Sequence, residues 1–222
     1  MNKLTATICV FGALSAAAAA DLSKYRGFQF GMDLPTVAKQ AGMNASEAKV
    51  IHSRPALMQE LVWRPKPLGL SSQTEPAEEV AFSFYNGELY RIAVSYDRHE
   101  IEGMTADDLV EAISAQYGVS TKPSVAVRIA PPSYGDHGEV VAEWQDSEYH
   151  FDLTRSSYGP SFSLVGATKK LEAPVQAATI ESARLDDKEA PQREAERLAR
   201  DSDAEQARLE KARLVNKPKF RP

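Results

Sequence analysis

The sequence predicts an α+β fold: tandem helix-plus-four-strand antiparallel repeats, with the helices on one face of the sheet and a charged C-terminal helical tail. Three observations predict it. Alternating apolar runs, Val80/Phe82/Phe84 and Tyr90/Ile92/Val94, flank Tyr85-Asn86-Gly87 in the clearest β-hairpin pattern of the chain. The string Gly31-Met32-Asp33 returns as Gly103-Met104-Thr105, and Gly31 is as far from Gly103 as Gly87 is from Gly159. Beyond about Glu172 the apolar alternation stops, and charged residues and alanines take over.

The first twenty residues carry Lys3, an apolar run from Ile8 to Leu14 and small residues up to Ala20, the pattern of a secretory signal peptide. The apolar run is too short for a membrane span. Export to the periplasm or beyond follows as the expected localisation. Cys9, the one cysteine, lies inside that run and not at its end, so no lipid anchor is expected. A chain beginning at Asp21 has no cysteine and must be held together by packing alone.

In the first repeat, residues 21–102, Asp33 is placed to cap a helix, Pro35 suits its first turn, Met32 can staple against Val37 and Gly42 ends it. Short strands follow near Ala48–His52 and Leu57–Trp63, then the hairpin Glu79–Tyr96. Pairing around a two-residue Asn-Gly turn would set Phe84 opposite Leu89 and put Tyr90, Ile92 and Val94 on the other face. A three-residue loop with a bulge instead pairs Phe82 with Tyr90 and Val80 with Ile92, and is the expected form. In the second repeat, residues 103–172, Thr105 and Asp108 form a capping box, Met104 staples against Leu109 and Gly118 ends the helix. Strands are expected at Ser124–Ile129, Val140–Trp144, Tyr149–Thr154 and Ser161–Val165. Ala173-Pro174 is expected to end the folded body. The tail, residues 173–222, carries Glu189/Arg193 and Glu196/Arg200 at helical ion-pair spacing, and reads as a solvated helix.

The chain of 222 residues has 43% hydrophobic and 26% charged residues, enough for one core and an appendage. Its formal charge is -5, and from Glu181 onward ten acids stand against eleven bases, so the acidity belongs to the body. Nucleic acid is therefore not an expected partner. After Glu210 there are only bases, Lys211, Arg213, Lys217, Lys219 and Arg221, which suit a weak contact with an anionic envelope surface.

The string Phe30-Gly31-Met32-Asp33, then Val37 and Gly42, followed by strands and a tryptophan, resembles the small outer-membrane assembly lipoproteins of the SmpA/OmlA (BamE) type and the tandem repeats of β-lactamase inhibitory proteins. The resemblance spans about Phe30 to Val165. It implies helices packed on an antiparallel sheet and a role in binding other proteins without chemistry. The chain departs from it in lacking a lipobox cysteine and in having one helix per unit.

No catalytic set, cofactor motif or metal site is expected. Glu148, His150 and Asp152 alternate along one strand and read as its wet side. His99 or His137 with neighbouring carboxylates would be the metal-assisted hydrolase alternative, but neither has zinc spacing. Ser46-x-x-Lys49 lacks the companion motifs of penicillin-recognising enzymes. Trp63 and Trp144 read as core, and Tyr134 as exposed. The expected function is binding of a protein or envelope component through the sheet face away from the helices, which carries Ser83, Arg91 and Ser95, or through the long loops, which carry Tyr134 and His137. A structural envelope protein acting through its tail is the other alternative.

Overall fold

The computed structural model describes residues 21–65, 76–121, 138–156, 161–219 and 221. The architecture is α+β. A two-stranded ribbon, β1(Lys24–Tyr25) and β2(Phe28–Gln29), precedes α1(Leu34–Gln40), whose start is fixed by the Asp33 carboxylate accepting the Thr36 N–H at 2.9 Å. Four strands follow: β3(Lys49–His52), β4(Met58–Trp63), β5(Ala77–Tyr85) and β6(Glu88–Tyr96). Then come α2(Ala106–Tyr117), β7(Glu139–Gln145), β8(Tyr149–Arg155), β9(Phe162–Thr168) and the 48-residue α3(Lys169–Asn216). The strand expected over Ser124–Ile129 lies outside the described residues.

Strands β3 to β9 form one antiparallel sheet in the order β3-β4-β5-β6-β9-β8-β7. The last strand of each unit therefore lies at the centre, where Ile92 of β6 faces Gly166 of β9. One face holds the main core. Leu61, Val80, Phe82, Ile92, Leu153 and Leu164 pack there with Val37 of α1 and Leu109, Ile113 and Tyr117 of α2. The N-terminal ribbon straddles this core: Phe28 lies 4.5 Å from Phe82, and Phe30 stacks on Tyr149 at 5.5 Å. Trp144 is buried as expected, and its indole N–H donates to the Gly118 carbonyl at 3.0 Å, tying β7 to the end of α2. Trp63 is partly buried beside Phe28.

The capping box of α2 forms in both directions, with the Asp108 N–H donating to the Thr105 hydroxyl and the Thr105 N–H donating to the Asp108 carboxylate. The Thr105 N–H and then the Thr105 hydroxyl, both donating to the Asp108 carboxylate, hold that carboxyl below its ordinary value. Met104 is 38% exposed, so the expected staple on Leu109 contributes little.

The hairpin corrects one expectation. Its loop is the two-residue Asn86-Gly87 turn, with Tyr85 opposite Glu88 and φ of 49° and 86° at the two turn residues. Both lie in the left-handed region that a twist-matched tight turn requires. The bulge exists but sits further along, between Ser83 and Phe84 on the register, so Phe84 faces Leu89, Phe82 faces Ile92 and Val80 faces Val94. Tyr90 is the extra residue and turns to the opposite face. Moving the bulge off the turn leaves three apolar residues of β6 on the core while keeping the favoured turn type.

Candidate functional site

The face of the sheet away from α1 and α2 is covered by α3, which overturns the expectation that it is open. Thr168 ends β9 and Lys169 begins α3 with no loop between them. The Lys169 N–H donates to the Glu148 carbonyl at 2.8 Å, and its ammonium donates to Gln145 at 3.0 Å, pinning the helix start to the β7–β8 turn. Ala173-Pro174 does not end the body. Pro174 is the sixth residue of the helix, where its missing N–H costs the one bond to the Lys170 carbonyl.

Leu171, Val175, Ala178 and Ser182 are the buried residues of α3, at i, i+4, i+7 and i+11, one stripe on one side. Leu171, Val175 and Ala178 pack on Ala56, Met58 and Tyr90, with Ile51 and Tyr85 alongside. Burial pushes the Tyr90 phenol up, opposed by Arg91 and the Ser83 hydroxyl. Polar tethers continue the line across the sheet. The Ser182 hydroxyl and His52 Nδ1 share a hydrogen bond of 2.7 Å, and Arg54 grips Glu189 with two bonds of 2.8 and 2.5 Å. Arg54 holds the Glu189 carboxyl below its ordinary value. Among the described residues no carboxylate hydrogen-bonds the His52 ring, so this serine–histidine pair lacks the third member that would orient a base.

Under α3 lies a buried polar layer. Ser83, Arg91, Ala167 and His150 face one another in one row across β5, β6, β9 and β8, and Ala93, Val165, Asp152 and Glu143 do so in the next row across β6 to β7. Ser83 is 7% exposed, Arg91 8%, His150 7% and Asp152 8%. His150 and Asp152 are thus not on a wet side. The His150 ring stands 3.0 Å from Glu172 of α3 and 3.8 Å from Asp152, and so is oriented between two carboxylates. Ser95, two residues further along β6 than Ala93, is exposed beyond this layer. The proposed face therefore divides: Ser83 and Arg91 are covered, and Ser95 is accessible.

The long loops leave a single end of the sheet. β4 stops at Trp63, β5 starts at Ala77, β7 starts at Glu139 and β8 stops at Arg155, with Trp63 opposite Val80 and Glu139 opposite Arg155. Tyr134 and His137 lie outside the described residues. His99 is exposed in the turn after β6, where its N–H donates to Asp97 at 2.7 Å. Among the described residues no group of three or more His, Cys, Asp or Glu side chains is placed to hold a metal ion.

Past Glu189 every residue of α3 and of the short 3-10 turn Lys217–Lys219 is exposed. Residues 190–216 extend about 40 Å at 1.5 Å per residue. Side-chain pairs along the helix replace the missing packing: Arg193 with Asp186, Arg197 with Glu194 and Asp201, and Arg208 with Glu205. Leu198, Leu209, Leu214 and Val215 are 50–70% exposed but form no continuous stripe, which denies the helix a coiled-coil seam. No helix among the described residues is long and apolar enough to cross a membrane.

The solvated helix expected over the charged tail is found past Glu189, whereas the covering role of the first half of α3 was missed in the sequence. The stripe Leu171, Val175, Ala178, Ser182, Leu185 was the signal, obscured by Pro174 and by the small size of two of its members. Comparison with protein-family models, curated proteins and solved structures finds no match.

Proposed function

We propose that this protein is an exported, non-enzymatic binding protein of the bacterial envelope, periplasmic or released, that recognises a protein or envelope component through the projecting half of α3. The loop end of the sheet, beside Ser95, offers a second contact. The observation that carries this reading is the division of α3. Its first half covers the sheet's second face, and from Ala190 to Lys219 it continues with every residue exposed. A helix that buries nothing of its own protein is stabilised only by local pairs, and its length is accounted for by what it reaches. The signal-peptide pattern of residues 1–20 supports the compartment, and the acid-free last turns add a weak anionic-surface contact.

The test is capture from envelope extract by the chain from Asp21, beside the same chain ended after Glu189. The expected result is a reproducible set of partners held by the first and lost from the second. Retention of the same partners by the shortened chain would move the contact off α3; capture of none by either would defeat the binding reading.

A further inference from the structure

We propose that the end of α3 is an electrostatic anchor for a bilayer surface rich in anionic lipid headgroups, with the helix acting as a spacer that keeps the acidic body off that surface. This rests on the reading of α3 as the contact element and names what its tip contacts. The charge of the molecule is segregated by position. Residues 21–189 hold sixteen bases and twenty-five acids, while residues 211–222 hold five bases and no acid.

Along the shaft three of the four arginines meet a carboxylate, Arg193 on Asp186 at 3.0 Å, Arg197 on Glu194 at 2.6 Å and Arg208 on Glu205 at 2.6 Å, while Arg200 makes no ion pair among the described residues. At the tip no cation does. Among the described residues Lys211, Arg213, Lys217 and Lys219 make no ion pair. A row of cations with no local partner, at the end of a rod, presents its full field to a partner of opposite charge.

Two further features favour a bilayer over a soluble polyanion. Leu214 and Val215 are 70% and 50% exposed, and at i+3 and i+4 from Lys211 they share its face, while Lys217, at i+3 from Leu214, borders it. Apolar side chains flanked by long cations suit an interface in which the chains dip below the headgroups and the charges stay level with them. A soluble polyanion would use only the cations. The second feature is length. The roughly 40 Å from Ala190 to Asn216 exceeds the screening length of about 8 Å in physiological salt several times over. The tip is therefore attracted without the body being repelled.

The experiment is vesicle sedimentation with the chain from Asp21, which carries every element described above and excludes the apolar run of residues 8–14. Vesicles rich in phosphatidylglycerol are expected to carry it down, and phosphatidylcholine vesicles are not. Each cation replaced by glutamine is expected to weaken partitioning roughly fivefold, so that K211Q/R213Q/K217Q/K219Q/R221Q stays in solution. Circular dichroism of that variant should match the parent, since the substituted side chains make no ion pair or side-chain hydrogen bond among the described residues. Because the chain from Asp21 has no cysteine, N216C accepts a single environment-sensitive dye. Its emission should shift to the blue on phosphatidylglycerol vesicles, and L214S/V215S should abolish the shift.

Equal sedimentation of the glutamine variant would overturn the proposal, as would equal binding to phosphatidylcholine. Binding to soluble polyphosphate as tight as to vesicles, with no dye shift, would replace the bilayer by a polyanion and also overturn it. If vesicles fail while truncation after Glu189 still abolishes capture from extract, α3 remains the contact element and only the bilayer is wrong.

Discussion

A chain ended after Thr168 is expected to melt roughly 10 °C or more below the full-length protein, whereas one ended after Glu189 should melt within about 2 °C of it. The difference follows from what the two halves of α3 bury. Leu171 and Val175 lie on Met58 and Tyr90, and burying side chains of this size is worth about 1.5–3 kcal/mol each, against a total stability of about 5–15 kcal/mol. Removing the helix also opens the polar layer of Arg91, His150 and Asp152 to water, which offsets part of the loss. Past Glu189 no residue is buried, so the second truncation removes only helix and surface pairs worth a few tenths of a kcal/mol. Thermal melts of the two chains beside the parent check this. Equal melting of the chain ended at Thr168 would mean that α3 does not belong to the folded body.

Gly166→Ala should destabilise the protein by about 1–3 kcal/mol, a large effect for one methyl group. Gly166 sits in β9 at the centre of the sheet, and a Cβ there would run into the Phe151 ring. That ring cannot retreat easily. Tyr117 stacks on it at 4.5 Å and Phe30 lies 6.0 Å away, so α2 and the N-terminal ribbon hold it down on the glycine. Burial among these groups pushes the Tyr117 phenol well up, as expected of a tyrosine whose hydroxyl donates to the Lys24 carbonyl at 3.2 Å. In a double-mutant cycle with Phe151→Leu, the methyl should cost much less, because the smaller side chain leaves room for it. Chemical denaturation of the four chains measures the coupling; additive effects would show that the ring and Gly166 are not in contact.

What could be read in the sequence was what short-range chemistry dictates. Asp33 and the Thr105/Asp108 box act on backbone groups within three residues, and both caps form as their sequences specify. The alternation of Val80, Phe82 and Phe84 needs only the two-residue period of a strand. The bulge position was not legible, because two placements both gather apolar residues and only the turn geometry of Asn86-Gly87 chooses between them. The cover on the second face was harder still. Ala81, Ser83, Ala93 and Ser95 look like a small, wet surface, and small side chains are also what allow a helix to lie close. His150 and Asp152 are polar side chains that read as exposed, yet both are buried, with His150 set between Glu172 of α3 and Asp152 on its own strand. Nothing local to β8 reveals that, since the partner that buries them comes from a helix that starts after another strand.

Amide hydrogen exchange along α3 in the chain from Asp21 tests the division of this helix most directly. Amides from Val175 to Glu189 are expected to be protected to a degree approaching the global stability, because opening them uncovers Met58 and Tyr90. From Gln192 onward exchange is expected to be faster by orders of magnitude, since a solvated helix opens locally at little cost. Uniform fast exchange from Lys169 to Asn216 would show that the sheet's second face is open after all. Uniform protection would show that the distal half is packed, and would remove the projecting element on which the functional reading stands.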